Sequence, residues 1–483
     1  MDYPGARAGV ILSAALRRGP RLRRVHPFDV PIFGAQRPEL VQAVVDYART
    51  RMSLDPVPLD GPSPPAELSA RAGRTITPEG IGGLAALRVF DEVLSRACIS
   101  ADHPRNLAFI PAAPTRAAIL FDLVVGASSI YGGSWLEGGG AVHAENEALR
   151  WLSDLVGFPP GAGGVFVQGG TVGNVSALVA ARHAARARRA ARGLPQPPRW
   201  RFLCGSEAHS SLRQAAEVMD VDLVVVPTGD DGRLTGGAVA TALDELAGDG
   251  GVFAVVATAG STQFGIVDDI RGVVDACRRH DVWVHVDGAY GLAGAAAASV
   301  RHLFDGIEET DSFIVDPHKW LFAPFDACAL VYRDPAAARA AHAQQAGYLE
   351  VLDTPGAWNP SDYEVGLSRR ARGLPFWFSL ATYGTHAYGS AVERCLATAR
   401  TAADHIRALP FVELVREPEL SVVVFRRLGW PAESYHRWTE RLLAEGLAFV
   451  TPTVHRQETV TRFAIVNPAT TPEDIDLILA TMA

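Results

Sequence analysis

Nothing in the sequence pairs its cysteines. The five, Cys98, Cys204, Cys277, Cys328 and Cys395, lie far apart with no CxxC spacing, which fits a reducing cytoplasm. A basic excess is equally absent: a net charge of -8 over 483 residues leaves no basic footprint for nucleic acid or an anionic membrane surface. No apolar run approaches the roughly 20 residues that a membrane helix needs. The short run Gly9-Val10-Ile11-Leu12 is followed by Arg17, Arg18, Arg21, Arg23 and Arg24, the reverse of a signal peptide's charge order. There is no internal repeat, and no G-x-G-x-x-G with an acidic residue about 20 positions on, so the dinucleotide fingerprint is absent. What remains is a globular composition, 48% hydrophobic and 20% charged, in a chain long enough for two or three domains.

Its organisation follows from periodicity and punctuation. Residues 1–102 read as helical pieces broken by a Pro-rich stretch at 56–65, which cannot be helical, and are expected to form an arm. The region 103–374 is expected to be the large domain. Its apolar runs at 165–168, 201–204, 223–226, 252–258, 282–286, 312–315 and 328–332 read as strands, with helices such as 172–192 and 270–279 between them. That alternation predicts an α/β domain with a mostly parallel, doubly wound sheet. The glycine cluster at 138–140 reads as a loop that must approach something closely. A long helix at about 375–409, followed by alternating strands and helices, makes 375–483 a small α+β C-terminal domain.

Several motifs fall at the expected carboxyl ends of strands, where open α/β sheets bind ligands. In Gln168-Gly169-Gly170-Thr171 the strand gives way to a long helix, whose free N–H groups, with the Thr171 hydroxyl, suit a phosphate; a plain strand-to-helix connection is the alternative. Ala208-His209-Ser210-Ser211 offers an imidazole to stack on a planar ligand, or a capping turn. Gly260-Ser261-Thr262 offers a hydroxyl. His285-Val286-Asp287-Gly288-Ala289-Tyr290 ends a buried strand in a carboxylate that must find a partner, either a protonated ring nitrogen or a structural cation. The small residues Gly288 and Ala289 leave room for a flat ring.

Asp316-Pro317-His318-Lys319-Trp320 sets a lysine between an imidazole and an indole, with apolar segments on both sides. Desolvation there is expected to lower the pKa of Lys319 and fit it for Schiff-base chemistry; a buried stem with its amine in water is the alternative. A metal site built from His209, His285, Asp287 and His318 is set aside, because only His285 and Asp287 share an element and no ligand spacing is recognised. Phosphate turn, stacking imidazole, buried carboxylate and desolvated lysine, in that order on one sheet, share one explanation: pyridoxal 5'-phosphate.

On these motifs the sequence resembles the group II pyridoxal-phosphate decarboxylases, the set that includes the aromatic L-amino acid, tyrosine and glutamate decarboxylases and has the aspartate aminotransferase fold (fold type I). The resemblance runs from about His103 to Gly384. It implies that Gly170 and Thr171 bind phosphate, that His209 stacks on the ring, and that Thr262 and Ala289 lie beside it. Asp287 would pair with the ring nitrogen, Asp316 and His318 would line the phosphate side, and Lys319 would hold the aldehyde. It implies a homodimer with active sites at the subunit interface and a small-molecule amino-acid substrate. Tyr348, in Gly347-Tyr348-Leu349, matches the tyrosine that returns a proton to Cα after carbon dioxide leaves, so simple decarboxylation is expected.

Three departures bear on the substrate: Phe109-Ile110-Pro111-Ala112-Ala113, where a Thr or Gly often follows the proline; the 138–140 glycines with His143; and Gly373-Leu374-Pro375. They keep two alternatives open, oxidative deamination to an aldehyde and β-elimination from a cysteine conjugate. A non-catalytic subunit is disfavoured by the intact Lys319 and Tyr348.

Overall fold

The computed structural model describes residues 38–111, 113–248, 250–344 and 356–483. Seven strands make the central sheet: β1 Gly163–Val167, β2 Arg201–Gly205, β3 Asp222–Val226, β4 Val252–Thr258, β5 Trp283–Asp287, β6 Ser312–Val315 and β7 Cys328–Tyr332. Their order is β1-β7-β6-β5-β4-β2-β3. Pairing is parallel from β3 through β2, β4 and β5 to β6, and only β7 runs against its neighbours. Every residue of β5, β6 and β7 is buried, because helices cover both faces; strands so placed read as unbroken apolar runs. The helix Ile270–Arg278 illustrates the cover. Asp269 caps it by accepting from the Gly272 N–H, and Ile270, Val273, Val274 and Cys277 fall on its buried face, the spacing of an amphipathic helix.

The small domain carries a four-stranded antiparallel sheet, β8 Val412–Leu414, β9 Val422–Arg427, β10 Pro452–His455 and β11 Glu458–Ala464, in the order β10-β11-β9-β8. The segment 105–107 is hydrogen-bonded to this part of the chain: the Leu107 N–H donates to the Phe449 carbonyl, and the Ala464 N–H to the Leu107 carbonyl, each at 2.9 Å. The helical pieces before residue 95 bury no residue. Among the described residues no helix is long and apolar enough to cross a membrane.

Two expectations are corrected. The 138–140 glycines lie within the helix Trp135–Leu155, which bends at Gly138 (φ -129°, ψ 26°). Glycine's poor helix propensity hid the start signal Ser134-x-x-Glu137, in which the Ser134 hydroxyl accepts from the Glu137 N–H. The close approach is real but internal, since a Cβ on Gly138 would lie 2.4 Å from the Tyr131 carbonyl oxygen. The single helix expected over 375–409 is two, Leu374–Tyr383 and Thr385–Ala408, separated at Gly384, whose φ of 77° glycine adopts without the cost a side chain would bring.

A buried ion cluster ties the segment 364–373 to this framework. Arg369 is paired with Glu145 at 2.9 Å and lies 3.6 Å from Glu364, all three being almost fully buried. It also donates to the Phe166 carbonyl on β1, while Glu145 accepts from the Gly373 N–H.

Candidate active site

The carboxyl ends of β1, β2, β4, β5 and β6 meet around one cavity of about 300 Å³. Its lining includes Gly170, Thr171, His209, Thr262, Asp287, Ala289, Asp316, His318 and Lys319, so the described residues singled out by sequence converge. Tyr348 lies outside the described residues. A larger cavity of about 870 Å³ adjoins the first and shares Phe325 with it.

At the phosphate turn, Gly169 is extended and the helix begins at Gly170, leaving the first-turn N–H groups without intrahelical acceptors. A Cβ on Gly170 would lie 3.2 Å from the Ala289 Cβ and 3.5 Å from Asp316 Oδ2, so glycine keeps this wall open. Across the cavity, His209 Nδ1 accepts from the Ser211 N–H at 3.2 Å and lies 2.9 Å from the Ser211 hydroxyl. The imidazole lines the cavity and accepts from the first N–H of the helix Ser211–Met219, whereas Ser210, in the capping position, makes no side-chain cap hydrogen bond.

Asp287 is buried and makes no ion pair with Arg or Lys among the described residues. It accepts from Asn174 Nδ2 at 2.9 Å and from the Ala289 N–H at 3.2 Å. Two residues earlier on the strand, the fully buried His285 has its pKa pushed down to about 4 by desolvation, against the opposing pull of Asp287.

Lys319 corrects another expectation. Burial presses its ammonium toward neutrality, but the Asp316 carboxylate, 3.0 Å from Nζ, and the charge of Asp287 outweigh that, and the pKa lies above the ordinary lysine value. The protonated amine is therefore the resting form without a ligand, and capture of an aldehyde requires that proton to leave. His318 is lowered by desolvation and its Nδ1 lies 2.8 Å from the Ala327 carbonyl oxygen. Behind Lys319 the Trp320 indole, fully buried, stacks on Tyr290 with centroids 5.4 Å apart.

The residues fit pyridoxal 5'-phosphate. Free N–H groups and a hydroxyl stand where a phosphate would dock, a carboxylate without a cation faces the same space, and the amine sits at its floor. Asp316 Oδ1 and Gln168 Oε1, buried in the wall, have no hydrogen-bond partner among the described residues. The sequence reading missed Asn174, Ser211, Thr258, Tyr290 and Phe325, which also line the cavity. It also passed over one plain signal: Lys319 is the one lysine among the 45 lysine and arginine residues of the chain.

Comparison with known proteins agrees with this geometry. Residues 87–428 match the family described as "Pyridoxal-dependent decarboxylase conserved domain". The aromatic-L-amino-acid decarboxylase of Bacillus atrophaeus is 28% identical over 77% of this chain and 79% of its own. Tryptophan decarboxylase 1 of Oryza sativa subsp. japonica is 31% identical over 75% of this chain and 76% of its own. Among solved structures, Oryza sativa TDC with PLP and tryptamine superposes with a TM-score of 0.85 at 26% identity, covering 95% of this chain and 99% of that one. A 4-hydroxyphenylacetaldehyde synthase from Rhodiola rosea shares the fold, with a TM-score of 0.81 at 23% identity over 94% of this chain and 99% of that one. With a matched region spanning most of the chain and a cavity furnished for the cofactor, the protein belongs to the pyridoxal-dependent decarboxylases, group II carboxy-lyases that use pyridoxal 5'-phosphate.

Proposed function

We propose that the protein removes the α-carboxylate of an L-amino acid as carbon dioxide and returns the amine. The observation that supports this most is the convergence of Lys319, Asp287, His209 and the Gly170–Thr171 turn on one cavity. Pyridoxal 5'-phosphate, when bound, supplies the electron-accepting ring that takes up the pair left behind by the departing carboxylate. Gly170 and Thr171 hold the phosphate through N–H and hydroxyl donors. Asp287 would keep a proton on the ring nitrogen, and His209, Thr262 and Ala289 would pack against the ring. Lys319, the amine in this cavity, would hold the aldehyde of the bound cofactor. Asp316, 3.0 Å from Nζ, keeps the released amine in place, with His318 alongside. Tyr348 returns the proton to Cα.

The substrate side chain would extend past Phe325 toward the larger cavity, whose walls include Phe322, Pro324, Ile119 and Tyr388. Of the charged residues there, Arg51 and Asp102 are tied to each other at 2.8 Å, and Asp55 and Arg116 also line a wall that is otherwise mostly apolar. A bulky apolar or aromatic side chain is therefore expected to be preferred over a charged one. The test is a panel of L-amino acids read for carbon dioxide, amine, aldehyde and peroxide. The expected result is equal amounts of carbon dioxide and amine, highest with aromatic substrates; aldehyde with peroxide would establish the oxidative alternative, and a preference for glutamate or diaminobutyrate would overturn the side-chain assignment.

The working unit is a homodimer in a reducing compartment. Val41, Val44 and Val45, one face of the helix Pro38–Ser53, are exposed, as are Leu120, Leu123 and Val124 on the helix Arg116–Ser128; apolar faces of this kind are commonly covered by a partner. All five cysteines are free. Sedimentation of the holoprotein with reductant present is expected to give twice the chain mass, and a stable, active monomer would contradict it.

A further inference from the structure

Asn174 sits four residues into the helix Gly170–Ala191, almost completely buried, and its amide reaches three groups. Nδ2 lies 2.9 Å from Asp287 Oδ2 and 3.2 Å from the Ser211 hydroxyl, and Oδ1 lies 3.0 Å from His285 Nε2. The chain of contacts continues on both sides. His285 Nδ1 is 2.8 Å from the Ser312 hydroxyl, which accepts from the Trp283 indole N–H at 2.9 Å. The Ser211 hydroxyl meets His209 Nδ1.

The Asp287 carboxylate can only accept, so Asn174 turns Nδ2 toward it and Oδ1 toward His285, which carries a proton on Nε2 and donates. The two Nδ2 hydrogens then go to Asp287 and Ser211, and Nδ1 of a neutral His285 is left to accept from the Ser312 hydroxyl, whose oxygen accepts from the Trp283 indole. At the other end, the Ser211 backbone N–H donates to His209 Nδ1, so that nitrogen is an acceptor and the Ser211 hydroxyl hydrogen can follow it there. The orientation of the Asn174 amide, normally a matter of assignment, is thus dictated by its surroundings. Neutral His285 agrees with its depressed pKa.

The geometry points to Asn174 as a positioning residue whose locked amide presents a donor to Asp287 and, through Ser211, ties that carboxylate to His209, so that the two side chains facing the cofactor ring share one hub. The inference rests on the reading of the cavity given above, because it presumes that Asp287 and His209 address the ring. It adds that the arrangement extends outside the cavity, to Ser312 and Trp283, whose hydrogen bonds match the His285 tautomer that the amide requires.

A double-mutant cycle on the purified full-length chain tests it, with cofactor affinity of the apoprotein and the visible absorption of the bound cofactor against pH as readouts. Asn174→Ala is expected to weaken cofactor binding roughly tenfold to a hundredfold, the range for losing a hydrogen bond to a charged group, and to move the pH midpoint of the absorption. Asn174→Ser, which keeps a hydroxyl donor, is expected to recover part of both. Ser312 lies three contacts away from Asp287, through His285 and Asn174, and Ser312→Ala removes the hydroxyl that His285 Nδ1 meets, loosening the ring that backs the amide. It is expected to weaken binding several-fold in the native background and to have no further effect in the Asn174→Ala background.

Equal effects of Ser312→Ala in the two backgrounds, or unchanged cofactor affinity in Asn174→Ala, would overturn the inference. Should Asn174→Ala fail to fold, Ser312→Ala alone decides: a shifted pH midpoint supports the locked amide and an unshifted one overturns it. These outcomes are independent of whether the cavity decarboxylates amino acids. That reading fails instead if Lys319→Ala stays active.

Discussion

Lys319→Ala is expected to lose at least 10²- to 10⁴-fold in turnover, the range for removing a positioned proton-transfer group, while still binding the cofactor through the phosphate turn and Asp287. Lys319→Arg should fare no better. It preserves the cation beside Asp316, but a guanidinium does not shed its proton and cannot hold an aldehyde. The pairing of these two variants separates the nucleophile from the charge. If the amine served only to neutralise the buried Asp316, Arg would restore activity and Ala would not. Added primary amines should return part of the activity to the alanine variant, because they replace the missing nucleophile in a cavity whose other walls are intact. Initial rates of carbon dioxide release, with circular dichroism to show that the fold is kept, are the measurements.

Asp287→Asn is the second large effect. The substitution keeps the shape, but its single amide oxygen can accept from only one of the two donors that Asp287 holds on separate oxygens, Asn174 Nδ2 and the Ala289 N–H. It also removes the negative charge proposed to face the ring nitrogen. A preorganised electrostatic partner of this kind is worth roughly 100- to 1,000-fold in turnover, and Asp287→Ala should lose at least as much. The asparagine variant is the sharper probe, since its loss cannot be laid to a cavity. Near-normal turnover in Asp287→Asn would mean that the carboxylate is structural and that the ring is protonated by some other group or not at all.

Much of this was legible in the sequence, and the parts that were not have physical reasons. The strands were readable because sheets covered on both faces leave continuous apolar runs, and β4, Val252–Thr258, was placed to the residue. The motifs at the strand ends were readable because chemistry concentrates polar residues where the apolar runs stop. The helix Trp135–Leu155 was misread because three consecutive glycines outweighed a cap whose partner lay three residues on. The ionisation of Lys319 was misjudged for a different reason: sequence shows which neighbours are apolar but not that Asp316, one turn back, swings its carboxylate to 3.0 Å from Nζ. Asn174 was invisible as a hub, since it acquires its meaning only when the helix Gly170–Ala191 packs on β5 and sets its amide between His285 and Asp287.

The claim on which all the rest depends is that Lys319 carries the cofactor, and the chain is suited to a direct test because it holds no other lysine. Borohydride reduction of the holoprotein, followed by trypsin and mass spectrometry, is predicted to leave the cofactor's mass on a single peptide spanning residues 302–333, uncut at Lys319 because the modified side chain is no longer a cleavage site. Cofactor found only on the amino-terminal peptide, or a reduced holoprotein in which trypsin still cuts fully after Lys319, would contradict the account.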